Sequence, residues 1–137
     1  MSKAAPRMLR LLVVAGLAVD AYVHFHLASR FDPIVGSGAH AVTEGQLFRI
    51  EGTAAAVAML LVLLLDRQWT IFLALVVAGA GTAAVVLYAF IDVGAVGPIP
   101  DMYDASWYTE KTVSLVAEAI ATVAAATLFL RSQPAKY

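Results

Sequence analysis

The chain has 137 residues, of which 61% are hydrophobic and 14% are charged. Its mean hydropathy of +0.82 is too high for a water-soluble surface. A net charge of −1 argues against nucleic acid as a partner, and the lack of cysteine excludes disulfides, thiolate metal sites and iron–sulfur clusters. Any protein-bound metal must therefore use His, Asp or Glu. The composition predicts a single membrane domain, residues 1–137, with the lipid bilayer as its solvent.

Four apolar runs lie at about 8–29, 45–65, 69–91 and 107–130. Each has close to the roughly 20 residues that a helix needs to cross about 30 Å of hydrocarbon. We therefore predict an all-α fold, a four-helix transmembrane bundle. Basic residues before the first run also suit a signal peptide, but apolar sequence continues through Leu27 without a small-x-small cleavage site. We expect an uncleaved first helix.

Basic residues predict the orientation of the bundle. They precede the first helix, occupy the short link between the second and third helices, and follow the fourth: Lys3, Arg7, Arg10, Arg67, Arg131 and Lys136. The positive-inside rule assigns these three places to the cytoplasm, and an even number of crossings agrees. We predict a multi-pass protein of the cell (inner) membrane with both termini cytoplasmic. The bias toward Ala, Val and Gly suggests a bacterial source.

The two longer loops, at about 30–44 and 92–106, then lie on the extracytoplasmic side. The second contains Gly97-Pro98-Ile99-Pro100, and prolines at alternate positions favour extended or turn backbone. We predict a semi-rigid strap that covers the outer mouth of the bundle.

Ionisable side chains inside the predicted spans are the most informative residues, because each costs at least a few kcal/mol near the bilayer centre unless it faces protein or water. From the rise per residue, Asp20 and Glu118 approach the middle of the membrane, and the others lie in the outer half. We predict a polar, acidic-rich cavity open to the extracytoplasmic side, lined by Asp20, His24, Arg49, Glu51, Glu110, Lys111 and Glu118.

Helical phase divides these residues further. Asp20 and His24 are four apart and share one face of the first helix. His26 is rotated by about 200° from His24 and shares a row with Tyr22. On the fourth helix a polar stripe follows three- and four-residue steps toward the midplane: Lys111, Ser114, Glu118 and Thr122.

Carboxylates outnumber cations in the predicted cavity, which implies bound protons or a bound cation. A divalent metal held by His24, Asp20, Glu51 and Glu118 is one interpretation. The alternative is that His24 forms only a structural hydrogen bond with Asp20 or Glu51. A haem with His24 or His26 as axial ligand is a further alternative. Interfacial ion pairs, Arg49 with Glu51 and Glu110 with Lys111, are an alternative for the outer charges. An interfacial position is the preferred interpretation for Arg30, Glu44, Lys111 and Trp107.

The sequence contains no nucleophile elbow, phosphate-cradling glycine loop, HExxH helix or dinucleotide fingerprint, and we do not predict an enzyme. Three function classes remain. The first is a membrane protein whose cavity binds a small ligand, a metal ion or protons in support of redox chemistry or uptake. The second is a small transporter or channel, which at four helices would have to form a homodimer to build a path. The third is an accessory subunit of a larger membrane complex.

Two segments have the character of family signatures: residues 22–27 (YVHFHL) and 97–103 (GPIPDMY). In helix number, helix length and polar outer mouth the chain resembles the small four-helix bacterial membrane proteins grouped as DoxX-like. Members of that group have been linked to quinone-associated redox systems, so the resemblance implies a redox association. It carries no site residue over to this chain.

Overall fold

The computed structural model describes residues 4–132. Four helices make up this part of the chain: α1 (Ala4–Ala28), α2 (Glu44–Leu64), α3 (Gln68–Phe90) and α4 (Thr109–Arg131). Each is long and apolar enough to cross a membrane, which confirms the predicted all-α, four-span fold. α1 begins at Ala4, four residues before its predicted start, and a 3-10 turn, Ser29–Phe31, extends its outer end. Lys3 and Lys136, used to predict orientation, lie outside the described residues.

The helices are arranged so that each packs against two neighbours. α1 packs against α2 and α4, and α3 packs against α4 and, less extensively, against α2. Small residues allow the close approaches: a Cβ atom added at Gly16 of α1 would lie 2.6 Å from the carbonyl oxygen of Ala117 on α4. Much of the buried core is alanine, including Ala58 and Ala74. The packing is therefore tight at α1–α4 and loosest at α2–α3.

The start of α2 is defined by its sequence. Thr43 precedes the helix and accepts a hydrogen bond at its Oγ1 from the backbone N–H of Gln46 (2.9 Å), while the Gln46 Oε1 accepts from the backbone N–H of Thr43 (2.8 Å). This reciprocal capping box ends the outer loop at Thr43 and places Glu44 in the first turn of α2.

The two outer loops are joined by backbone hydrogen bonds. Val42 donates its N–H to the carbonyl of Pro98 (3.0 Å), and Ser37 donates to Gly97 (2.9 Å). The contact leaves no room for a side chain at Gly36, where an added Cβ would lie 1.9 Å from the Pro98 oxygen. We call these paired segments, residues 32–43 and 96–100, the cap.

At the opposite end, α1 meets the link between α2 and α3. Arg10 lies 3.3 Å from Asp66 through its Nη1 and donates from Nη2 to the carbonyl of Val62. The start of α1 and Arg67 of the link therefore lie at the same end of the bundle.

Candidate functional site

The deepest polar residues belong to the first and last helices. Asp20 on α1 and Glu118 on α4 have no exposed surface, although both carry carboxylates. His24, one turn beyond Asp20, has a side chain that is only 12% exposed. One ligand atom from each of the three residues lies within 4.8 Å of the others. The structure thus contains a buried Asp/His/Glu group that can hold a metal ion, and we call it the carboxylate–histidine cluster.

The orientation of the His24 ring assigns its two nitrogens. Nδ1 lies 2.9 Å from the backbone carbonyl oxygen of Asp20 and, because a carbonyl only accepts, Nδ1 is the donor. Nδ1 is also 2.7 Å from Asp20 Oδ1, without the geometry of a hydrogen bond. Nε2 points toward Glu118 Oε1 at 4.0 Å, which is too long for a hydrogen bond. In a neutral imidazole the Nε2 lone pair is therefore free to face a cation.

Glu51 of α2 completes the surroundings of the cluster. A Cβ atom added at Gly81 of α3 would lie 2.9 Å from Glu51 Oε1 and 3.0 Å from the Glu118 carboxylate. Because Gly81 has no side chain, both carboxylates can lie against its backbone. Since α1 supplies Asp20, all four helices contribute a residue to this region.

Several carboxylate oxygens at the cluster are buried without a hydrogen-bond donor. Within residues 4–132, no protein donor makes a hydrogen bond to either oxygen of Asp20, to Oε1 of Glu51 or to Oε2 of Glu118. A carboxylate oxygen of Asp20 lies within 4.8 Å of one of Glu118, and Glu51 and Glu118 both lie beside Gly81. Neighbouring carboxylates share a hydrogen bond only when one carries a proton. Buried acceptors that face one another are costly, so this arrangement requires protons or a cation.

Glu118 has one side-chain donor on its own helix. The Ser114 hydroxyl, also buried, donates to Glu118 Oε1 (3.1 Å), and the Thr122 hydroxyl donates to the Glu118 backbone carbonyl (2.7 Å). The polar stripe predicted from spacing on the fourth helix is therefore linked by hydrogen bonds from Ser114 to Thr122.

A cavity of about 430 Å³ lies between the cluster and the cap. Its polar lining is at two ends: His24, Glu51 and Ser114 on the inner side, and Glu44, Asp104, Tyr108 and Lys111 on the outer side. The walls between them are mainly apolar. Asp20 and Glu118 lie behind the inner end, in contact with His24 and Ser114, and are not part of the lining itself.

The remaining predicted site residues are placed as follows. Lys111 lines the outer end of the cavity and donates to the backbone carbonyls of Asp104 and Ser106. Arg49 lies outside the cavity, where its guanidinium makes a bidentate pair with Asp32 at 2.7 and 2.8 Å. Glu110 is half-buried and is not among the lining residues that the structure describes.

The surroundings of Glu44 do not fit its interpretation as an interfacial charge. Glu44 is 6% exposed, lines the cavity and lies near Lys111 and Asp104. Its spacing of seven from Glu51 places both on the same face of α2, and this was the signal available in the sequence. Asp32, the partner of Arg49, had no such signal, because its position depends on how the first loop folds back over α2.

Two groups outside the spans have perturbed acidities with clear causes. The hydrogen bonds from Arg49 hold the pKa of Asp32 below its usual value. Burial, with the nearby charges of Asp104 and Glu44, raises the pKa of Tyr108 to about 12. The Tyr108 phenol is therefore a neutral group at the outer end of the cavity at physiological pH.

No protein-family model, curated protein or solved structure matches this chain. The resemblance to DoxX-like proteins stays a prediction for that reason. The observations that bear on function are the geometry of the cluster and of the cavity above it.

Proposed function

We propose that this membrane protein binds a divalent cation at the carboxylate–histidine cluster, with Asp20, His24 and Glu118 as ligands and Glu51 beside them. The observation that carries the proposal is the set of buried carboxylate oxygens without a donor, which converge on a histidine nitrogen. A cation supplies the positive charge that would otherwise have to come from bound protons.

The distances suit an ion between the two helices. The 4.0 Å between His24 Nε2 and Glu118 Oε1 is about twice the roughly 2.0–2.2 Å of a metal–nitrogen or metal–carboxylate bond. The hydrogen bond from His24 Nδ1 to the Asp20 carbonyl fixes the ring and directs Nε2 inward. Metal-binding histidines are commonly oriented by such a bond.

The donor set narrows the class of ion. Imidazole and carboxylates together suit Zn²⁺, Mn²⁺ or Fe²⁺ better than the all-oxygen sites of Ca²⁺ and Mg²⁺. Three protein ligands leave coordination positions for water or for a ligand in the cavity. The chain itself would bind and orient the ion and exclude lipid from it.

We further propose that the cluster is reached from the extracytoplasmic half of the cell membrane. Arg10 and Arg67 lie together at the other end of the bundle, and the positive-inside rule favours the cytoplasm for that end. The cavity and the cap then lie on the outer side.

The test is calorimetric titration of Zn²⁺ and Mn²⁺ into chelator-treated protein in phospholipid nanodiscs, with metal content measured in parallel. We expect one ion per chain for the wild type. Glu118→Gln should lower the affinity at least about a hundredfold, since loss even of an outer-shell partner commonly costs 10- to 100-fold. Because Gln has nearly the same shape and no charge, thermal stability without metal should be retained.

Glu110→Gln is the matched control, because it removes a carboxylate from the same helix but outside the cluster. Its affinity should equal that of the wild type. Equal loss of binding in both variants, no binding by the wild type, or a parallel loss of stability and binding in Glu118→Gln would contradict the proposal.

A further inference from the structure

The cavity above the cluster is larger and more apolar than a site for a water-soluble ion alone needs to be. Its volume of about 430 Å³ is within the range of pockets that hold organic ligands. Its walls are apolar along most of their length, with Leu27 and Leu47 on one side and Ala84 and Val85 on the other. An ion needs neither this volume nor this surface.

The cap lies across the extracytoplasmic end of the cavity. Ile99 and Met102 contribute to the lining, and Pro100 beside them is fully buried. The loop is tied to the first loop through the Val42–Pro98 hydrogen bond. Hydrogen-bonded backbone of the cap therefore lies over this end of the cavity.

The side of the cavity between α2 and α3 is less closed. These two helices are the neighbours that pack least against each other. Ile50 is 63% exposed and lines the cavity. It also lines a groove of about 480 Å³ on the side of α2 and α3 that faces away from the bundle. The groove continues along Thr53, Val57, Leu73 and Val77, on helices that cross the membrane. The surface that adjoins the cavity at Ile50 thus lies on membrane-crossing helices.

The inner end of the cavity offers an acceptor. Glu51 lines the cavity. Its Oε1 is buried beside the Glu118 carboxylate, whereas its Oε2 is not among the buried oxygens and has no hydrogen-bond partner in residues 4–132. Oε2 is thus the acceptor that Glu51 offers to the cavity, and it is separate from the buried oxygens of the cluster. A ligand head that donates a hydrogen bond would satisfy it.

We propose that the cavity binds a lipid-soluble molecule with a hydrogen-bond-donating head, which reaches it from the bilayer between α2 and α3. The head lies at Glu51 and His24, and the apolar body lies between Leu47 and Ala84. This inference does not depend on the proposed ion, because the apolar volume and the free Glu51 oxygen are separate observations.

The probe is a 12-carbon alcohol with a diazirine at mid-chain, added to wild-type protein in nanodiscs of dioleoylphosphatidylcholine. After illumination, we expect mass spectrometry to locate the label on cavity residues of α2 and α3. Unlabelled 1-dodecanol should compete, and methyl dodecyl ether should compete about tenfold less well, as expected for the loss of one hydrogen bond to a carboxyl oxygen.

Two substitutions on one helix test the location. Ala84→Phe fills the cavity and should reduce labelling about tenfold or more, whereas Val86→Phe on the lipid-facing side should not change it.

A second pair of substitutions tests the route from the bilayer. Thr53→Trp in the groove should slow labelling, and Val123→Trp on the exposed face of α4 should not. The proposal is overturned if wild-type label lies outside the cavity, if the ether competes as well as the alcohol, or if both members of a pair behave alike.

Discussion

His24 and His26 are two residues apart on α1, yet their rings have different surroundings. His24 contacts Asp20 and Glu118 in the interior, whereas His26 stacks on Tyr22 at a centroid distance of 5.6 Å on an exposed surface. The difference follows from helical phase, since a step of two residues turns the side chain by about 200°.

This difference makes the two histidines a matched pair for the proposed ion site. His24→Ala removes the nitrogen ligand and should weaken Zn²⁺ binding by at least about tenfold. His26→Ala leaves the cluster intact and should bind as the wild type does. Calorimetry on both variants in nanodiscs measures the difference. If His26→Ala were the more damaging substitution, the assignment of ligands on α1 would be wrong.

At the scale of the helices, glycine positions determine how closely neighbours approach. Gly16 faces the backbone of α4, but a Cβ atom added at Gly79 of α3 would meet Thr122 Cγ2 at an ordinary 3.9 Å. Both residues are helical glycines in apolar spans. Because a Cβ atom has room at Gly79 but not at Gly16, we expect opposite responses to substitution by alanine.

Gly16→Ala should destabilise the bundle by about 1–3 kcal/mol, because the new methyl group overlaps backbone that cannot rotate away. Gly79→Ala should be neutral or stabilising by up to about 1 kcal/mol, since Ala favours helix over Gly. Unfolding in sodium dodecyl sulfate, followed by circular dichroism, measures both. A stable Gly16→Ala protein would show that α1 and α4 are less closely packed than described.

Helices and loops differed in how well the sequence predicted them. Apolar runs of about 20 residues identify spans because hydrocarbon thickness sets helix length. Asp20, His24 and Glu118 were predicted together from depth and phase, which are local properties of single helices. The Arg49–Asp32 pair was not, because it depends on where the first loop folds. The inward position of Glu44 was not predicted either, although its spacing of seven from Glu51 on α2 indicates it. The cap likewise depends on hydrogen bonds between residues about sixty positions apart, which no local pattern encodes.

At the scale of the whole molecule, the predicted orientation is testable because the chain has no cysteine of its own. Ser37→Cys lies in the cap, and Gln68→Cys lies at the opposite end, where α3 begins. Both positions are exposed. A membrane-impermeant maleimide should label Ser37→Cys on intact cells and Gln68→Cys only after permeabilisation. The reverse pattern would place the termini outside.

The cluster joins the first helix of the chain to the last, and this has a consequence for biogenesis. During synthesis α1 enters the membrane with Asp20 and His24 long before Glu118 of α4 has been translated. Until then an ionisable pair is held in a helix that lacks its final partner, a costly state in lipid. We expect chains that stop before α4 to be retained by the insertion machinery or degraded, because the site is complete only after α4 has been inserted.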